Sequence, residues 1–360
     1  MTTPRPAAAR GARGADAHVT SRRAWPVAVW PLLGIVALVL INALIDAWSA
    51  GGPGLFAPGA FLHVAVVDGV PAGALLDILN YGATFAILGI GMTPVIGTRG
   101  VDLSVGSIMA LAGAIAATLS VGGSPPVVSI AAALGVAALC GVWNGVLVGV
   151  AGIQPFVATL VLMVAGRGLA QMVTGSQVIT FHDSTLEYLA LGRPAWLPVP
   201  FAFLLAVTLV VLTLVVVRRS ALGLLLEAVG GNPEAARLAG VRSALLVGGT
   251  YVFSAVTAGL AGLIAAANIK AADPFNAGRN LELAAIFAVI VGGTPQGGGR
   301  LSILGAALGG FLMQALITTM YARNIGADVA PLPEALAILA VCIVGTPRGR
   351  AALGRMWRRR

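Results

Sequence analysis

Charge is what this sequence most lacks: 10% of its 360 residues are Asp, Glu, Lys or Arg, against about 25% in an ordinary soluble domain. Lysine is nearly absent. The only one, Lys270, lies in Asn268-Ile269-Lys270-Ala271-Ala272-Asp273, so the chain has no G-x-x-x-x-G-K-[ST] loop and cannot hydrolyse ATP by that route. His18, His63 and His182 stand singly, with neither an H-E-x-x-H pattern nor a Cys/His cluster to hold zinc. The two cysteines, Cys140 and Cys342, each sit inside an apolar run and read as small buried side chains, with no disulfide framework. There is no G-x-S-x-G nucleophile elbow. No catalytic residue, metal site or cofactor is therefore assigned to this chain, and it is not read as an enzyme.

What is present is apolar. Hydrophobic residues make up 58% of the chain and mean hydropathy is +0.95. Apolar runs near 20 residues recur, the length that spans a hydrocarbon core of about 30 Å. The fold class expected is all-α: a polytopic membrane protein of about ten transmembrane helices. The net charge of +9 sits at the two ends and between runs, without a basic, aromatic surface segment. It follows the positive-inside rule and does not point to nucleic acid.

Residues 1–25 carry no core-forming pattern and read as a disordered basic tail; residues 26–346 form the membrane domain and 347–360 a second basic tail. Spans are expected at about 26–46, 78–97, 108–121, 127–150, 154–173, 199–217, 244–268, 281–294, 301–320 and 333–345. The first is too long for a signal-peptide core and reads as an uncleaved anchor. Residues 51–77 and 174–198 read as loops on the outer side, the latter with room for a short helix. Ten crossings place both termini and the polar interval 218–243 in the cytoplasm, in agreement with the arginine bias.

That interval, Arg218–Arg242, reads as two short helices. The first ends at Gly230-Gly231, residues that tolerate φ > 0. Asn232 caps the second, Pro233 occupies its first position, Glu234 faces its positive end and Gly240 closes it. Helices so short need something to pack on, and a separate ATP-hydrolysing protein is the expected partner. Elsewhere Gly141, Gly145 and Gly149, then Gly305 and Gly309, recur every fourth residue, a spacing that lets helix backbones approach closely. Two segments, 95–114 and 289–308, share one plan: an apolar run, a Gly-rich break and a small-residue helix.

Ionisable residues inside spans are costly, and Asp102, Arg167 and Glu282 are the candidates. Either Asp102 or Ser104 caps the following helix, or the break at Gly100–Gly106 lines a path through the bundle. Arg167 either pairs with a carboxylate such as Asp102 or snorkels to an interface. Asn144 faces an interior path or bonds a neighbouring helix. Gln154, Thr159 and Gln171 suit hydroxyl recognition and serve equally as interhelical contacts.

Four motifs occur in order: G-V-D-L-S-V-G-S at Gly100–Ser107, G-V-W-N-G at Gly141–Gly145, I-Q-P-F-V-A-T-L at Ile153–Leu160 and E-A-V-G-G-N-P-E-A-A-R-L-A-G-V at Glu227–Val241. Together they resemble the ribose/xylose/arabinose branch of bacterial ABC-importer permeases, and Gln154–Phe181 looks most like the permeases of galactofuranose importers. The resemblance implies a permease subunit in the bacterial inner membrane that moves a monosaccharide of galactofuranose or pentose type inward. It implies a second permease subunit, identical or related, surrounded by membrane lipid. A cytoplasmic ABC ATPase carrying ATP and magnesium, and a periplasmic or lipid-anchored sugar-binding protein, complete the expected assembly. Carried over as ATPase-coupling residues are Glu227, Ala228, Gly231, Asn232, Ala235, Ala236 and Gly240. Gly100, Asp102, Leu103, Ser104 and Gly106 are carried over as a signature. The chain departs from relatives at Thr98-Arg99-Gly100, where a Gly-Gly pair is common. An ATP-independent carrier or channel for a small polar solute is the alternative.

Overall fold

The computed structural model describes residues 29–49, 55–67, 70–194 and 197–326, together with residues 329, 332, 335, 336 and 339. Both basic tails lie outside the described residues, as does the expected tenth span apart from residues 335, 336 and 339.

The described chain is helical. Helix α1 (Val29–Ser49) leads to an antiparallel hairpin, β1 (Ala65–Val67) with β2 (Val70–Ala72). Then come α2 (Ala74–Gly97), α3 (Val105–Val121) and α4 (Pro126–Gly145), which continues through a π-helical turn at Val146–Val150. Next are α5 (Pro155–Thr174), β3 (Ile179–Thr180), α6 (Ser184–Leu191), α7 (Phe201–Arg219), α8 (Ala221–Gly231) and α9 (Pro233–Leu238). The chain closes with α10 (Ser243–Ile269), β4 (Ala271–Ala272), α11 (Leu281–Val291) and α12 (Ile303–Ala322). Strands β3 and β4 pair antiparallel. Among the described residues seven helices are long and apolar enough to cross a membrane: α1, α2, α4 with its π turn, α5, α7, α10 and α12. Helices α3 and α11 are shorter and apolar. Several starts follow from proline, whose missing N–H costs nothing at the first helical position: Pro126, Pro155 and Pro233 each open a helix.

Burial sorts the helices into two shells. About two-thirds of the apolar window of α2 is buried (67%), with α10 and α12 at 61%, whereas α1, α4, α5 and α7 reach only 17–28%. Leu139, Trp143, Val161, Val164 and Leu212 face outward, as side chains on a lipid-facing or subunit-facing surface do. The inner shell is built on small residues. With no hydrophobic drive between helices in lipid, association rests on close packing. The expected glycine spacing is realised between α4 and α10: a Cβ on Gly141 would lie 2.8 Å from the Tyr251 carbonyl oxygen, on Gly145 2.7 Å from that of Gly248, and on Gly149 2.5 Å from that of Ala244. Gly305 and Gly309 do the same against Gly292 and Ala288 at the α11–α12 contact.

Gly145→Val should therefore force α4 off α10, at a cost of about 1–3 kcal/mol or more. Gly168→Ala, where a Cβ meets nothing within 4 Å, should leave thermal unfolding of the detergent-solubilised protein unchanged. Equal melting of the two variants would contradict the packing account.

Candidate functional site

The polar interval folds as two helices meeting at Asn232. Ser220 accepts a hydrogen bond from the Leu222 amide at 3.2 Å to open α8, and Asn232 accepts one from the Ala235 amide at 3.1 Å to open α9. Gly240 ends the unit with φ +84°. The exposed Glu234–Arg237 pair, 2.7 Å apart, adds little, being bathed in solvent. One side of the unit is buried through Leu226, Val229 and Ala236, while Leu224 and Leu238 on the other are 73% and 79% exposed.

The expectation that Gly230-Gly231 end α8 through positive φ is corrected here. Neither residue has positive φ, and α8 runs through both. Glycine is needed at 230 for space: a Cβ there would stand 1.9 Å from the Gly97 carbonyl oxygen and 2.5 Å from the Gly299 nitrogen. Three backbones thus meet at one point, and the Gly299 amide donates to the Gly97 carbonyl at 2.9 Å. Two side chains secure this seat. Glu227 accepts a hydrogen bond from the Leu301 amide at 3.0 Å. Arg99 donates from Nε to the Gly230 carbonyl at 2.6 Å and from Nη2 to the Gly231 carbonyl. It does so from φ +66°, a left-handed conformation that costs a non-glycine residue about 1–2 kcal/mol. The offsetting gain is a cation on the carbonyls that α8 leaves unpaired at its negative end. Sequence reasoning had marked Arg99 only as a departure from relatives.

The residues carried over for coupling divide by face. Glu227 and Ala236 point into the bundle, whereas Ala228, Gly231, Asn232, Ala235 and Gly240 lie exposed. A Cβ on Gly231 would meet nothing within 4 Å.

Of the signature residues, Gly100, Asp102, Ser104 and Gly106 are buried and Leu103 is half-buried, and around them forms a second, polar cluster. Asp102 Oδ1 accepts from the Ser104 amide at 3.0 Å and the Ser104 hydroxyl at 2.5 Å, and Oδ2 accepts from the Ser254 hydroxyl of α10 at 2.9 Å. Asn144 of α4 donates to the Ser104 hydroxyl at 2.9 Å, bonding a neighbouring segment. Thr159 bonds back to Pro155 at 2.9 Å and reaches the Val101 carbonyl at 3.5 Å. Gly100 and Gly106 allow the break to pass Tyr251 and Gly278, which a Cβ would strike at 2.5 and 2.2 Å. The cluster ties the start of α3 to α4 and α10.

Arg167 is not part of it. The pairing with Asp102 is corrected: Arg167 donates to the Ala277 and Pro274 carbonyls, capping the turn before α11, while hydroxyls and an amide already satisfy Asp102. Gln154 stands exposed ahead of α5, without a side-chain capping bond.

Sequence reasoning missed a cavity of about 760 Å³ between α2, α3, α10, α11 and α12. It sits at the end of α2, α10 and α12 remote from α8–α9, because its lining comes from residues 74–85, 262–273 and 314–322 of the chain. Asp77, Tyr81, Asn276 and Tyr321 stand at its mouth, with Thr84, Asn268, Gln314 and Thr318 on its walls. At the rim, desolvation works to raise the Asp273 carboxyl, but hydrogen bonds from the Asn276 side chain and the amides of Phe275 and Asn276 hold it below the usual carboxylate range. Beyond the cavity, towards α8, α2 is sealed by Ile87, Leu88, Ile90, Met92 and Val95, all buried. The available signal was a neutral one: an amide, Gln314, alone in an apolar run.

Residues 74–344 match the family described as branched-chain amino acid transport system / permease component. The chain is 41% identical to the galactofuranose transporter permease protein YtfT of Escherichia coli (strain K12), over 90% of this chain and 91% of the relative. It is 32% identical to the fructose import permease protein FruF of Bifidobacterium longum (strain NCC 2705), covering 95% and 92%. It is 35% identical to the ribose import permease protein RbsC of Escherichia coli (strain K12), covering 75% and 84%. No solved structure matches.

Removing the guanidinium in Arg99→Ala should speed amide exchange in the last turn of α8 roughly tenfold, equivalent to about 1.4 kcal/mol, and leave α10 untouched. Asp102→Ala should lower stability by about 1–3 kcal/mol by stranding buried donors, with Asp102→Asn costing less because an acceptor remains. Thermal unfolding of the two Asp102 variants, in the same detergent, ranks them.

Proposed function

This chain belongs to the permease-component family just described, and from that premise we propose that it is the membrane subunit of an ATP-driven importer of a monosaccharide. The sugar class is carried by the relatives, whose names specify galactofuranose, fructose and ribose transport. The observation that carries the mechanism is the α8–α9 pair. Its inner face is fastened by Glu227 and Arg99, and its outer face offers Leu224, Ala228, Gly231, Ala235 and Leu238.

The chain has no P-loop of its own, so the free energy for transport comes from ATP and magnesium on a separate cytoplasmic ATPase docked on that outer face. A ligand shifts a conformational equilibrium only by its differential affinity for the two states. ATP does so on the partner, and the α8 seat passes the displacement to two places at once: the end of α2 through Gly97 and Arg99, and the start of α12 through Gly299 and Leu301. About ten crossings put both basic ends and Arg218, Arg219, Arg237 and Arg242 in the cytoplasm, as the arginine bias requires. In this topology the cavity mouth faces outward, where a periplasmic or lipid-anchored binding protein delivers the sugar. A second permease subunit completes the membrane unit in the bacterial inner membrane.

Gly231 separates docking from folding. Gly231→Trp adds bulk to an open, exposed position and should leave the melting temperature of the permease unchanged, while binding-protein-stimulated ATPase activity and uptake in vesicles fall at least tenfold. Wild-type ATPase and uptake in that variant would remove the coupling role.

A further inference from the structure

Resting on the importer reading, the geometry points to a substrate site: we propose that the cavity between α2, α3, α10, α11 and α12 is the chamber that holds the monosaccharide. Its hydroxyls are recognised by Gln314, Thr318, Thr84 and Asn268. The volume, about 760 Å³, lies within the range of roughly 300–1,000 Å³ typical of small-molecule sites.

The lining has the composition that a neutral polyol requires. Apolar surface from Phe85, Met109 and Ile317 suits the C–H faces of a sugar ring. The polar groups on the inner walls are amides and hydroxyls, each able to donate and accept, and at the mouth Asp77 and Asp273 add carboxylates that accept from sugar hydroxyls. Gln314 donates to Thr318 at 3.1 Å one helical turn away, which fixes the amide and leaves its carbonyl oxygen available to a ligand. Asn80 donates to Asn268 at 2.6 Å across the α2–α10 contact. This bond fixes the Asn268 side chain from behind the wall; the Asn80 side-chain oxygen is itself buried without a partner, and Asn80 does not line the cavity. A sugar that fits such a set replaces the hydrogen bonds it loses to water, and an apolar solute of the same size does not.

The position in the fold selects the same cavity. Helices α2 and α12 supply Thr84, Gln314 and Thr318, and the opposite ends of these two helices meet at the α8 seat. At Gly310 they touch backbone to backbone, since a Cβ there would fall 2.5 Å from the Ala86 nitrogen, and one turn away the Phe311 ring of α12 packs on Gly82 of α2. A displacement of α8 therefore arrives at the chamber walls through two adjoining rigid elements, and the sealed stretch Ile87–Val95 is the part of the path that must part for release.

The test uses the complete complex of permease, ATPase and binding protein in proteoliposomes, with radiolabelled D-galactose, D-fructose and D-ribose as probes. Gln314→Leu should lower uptake of the transported sugar at least tenfold, and Gln314→Asn, which retains an amide, should recover it to within about threefold. A purely structural glutamine predicts the reverse order, because leucine fills the site better than asparagine; that order overturns the proposal. In a Cys140→Ser/Cys342→Ser background, Thr318→Cys should react with a membrane-impermeant thiol reagent added from the face opposite α8–α9, and the transported sugar should slow the reaction at least threefold. An unreactive or unprotected cysteine also overturns it. Wild-type uptake that is indifferent to Gln314 strikes the chamber alone, whereas a wild-type complex that takes up none of the three sugars strikes the importer reading and the chamber with it.

Discussion

Three backbones, at Gly97, Gly230 and Gly299, meet where a Cβ on Gly230 would not fit, and the arrangement of this end of the bundle follows from that contact. Helix α8 is short, and helices of this length gain their stability from tertiary packing. The seat supplies it with a hydrogen bond between Gly299 and Gly97, the Glu227 carboxylate on the Leu301 amide, and the Arg99 guanidinium on the last carbonyls of α8. The two similarly built breaks, after α2 and before α12, lie on either side of it. A force on α8 is consequently shared between two helices that belong to the inner shell. The outer helices α1, α4 and α5 are not part of this seat.

The same constraint, close approach of backbones, governs the rest of the bundle. In lipid the gain from pressing two leucine-covered helices together is small, so contacts are made where side chains are absent. Gly141, Gly145 and Gly149 bring α4 onto α10, and Gly305 and Gly309 bring α12 onto α11. Such surfaces slide with less steric resistance than interlocked large side chains. Polar bonds fix the places that must not slide. Asp102 joins the start of α3 to α10 through Ser254, and Ser104 joins it to α4 through Asn144. A buried carboxylate with its oxygens satisfied by hydroxyls and an amide is a rigid node. It makes α3, α4 and α10 one body.

Much of this was legible in the sequence because membrane helices announce themselves by length and are punctuated by proline and glycine. Among the described residues a helix lies within a few residues of each of nine expected positions, and seven of these helices are long and apolar enough to cross a membrane, while α3 and α11 are shorter than a full crossing needs. Asn232-Pro233 and Gly240 marked α9 correctly, and the fourfold glycine spacing marked two contacts. What was not legible depends on through-space neighbours. Gly230 was read for its dihedral freedom when its role is the space it leaves. Arg167 and Asp102 invite pairing because both are ionisable, yet Asp102 is bonded to Ser104 and Ser254 and Arg167 to the carbonyls of Pro274 and Ala277. The cavity was invisible because the polar groups on its inner walls are neutral and sparse, and because they and the rim carboxylates Asp77 and Asp273 come from segments far apart in sequence; only folding brings Thr84, Asn268 and Gln314 together.

That distribution also bears on how a single chain joins chemistry at one end to force at the other. Helix α2 runs from the cavity mouth at Asp77 to the α8 seat at Gly97, and α12 runs back from the seat to the mouth at Tyr321. At 1.5 Å per residue each extends about 30 Å, so the two together bridge cavity and seat without a relay of intervening contacts. A relay of side chains would lose displacement at every loosely packed joint. Two helices in backbone contact at Gly310 and Ala86 move with little loss, because interiors packed this closely shift between discrete arrangements rather than deform. The price is paid in sequence freedom: a Cβ on Gly230 or Gly310 would strike backbone, one on Gly97 would displace the Leu301 side chain, and Gly299 holds a left-handed φ of +83°. Specificity then resides in the neutral side chains of the cavity, which can change without disturbing the glycine contacts that carry the motion.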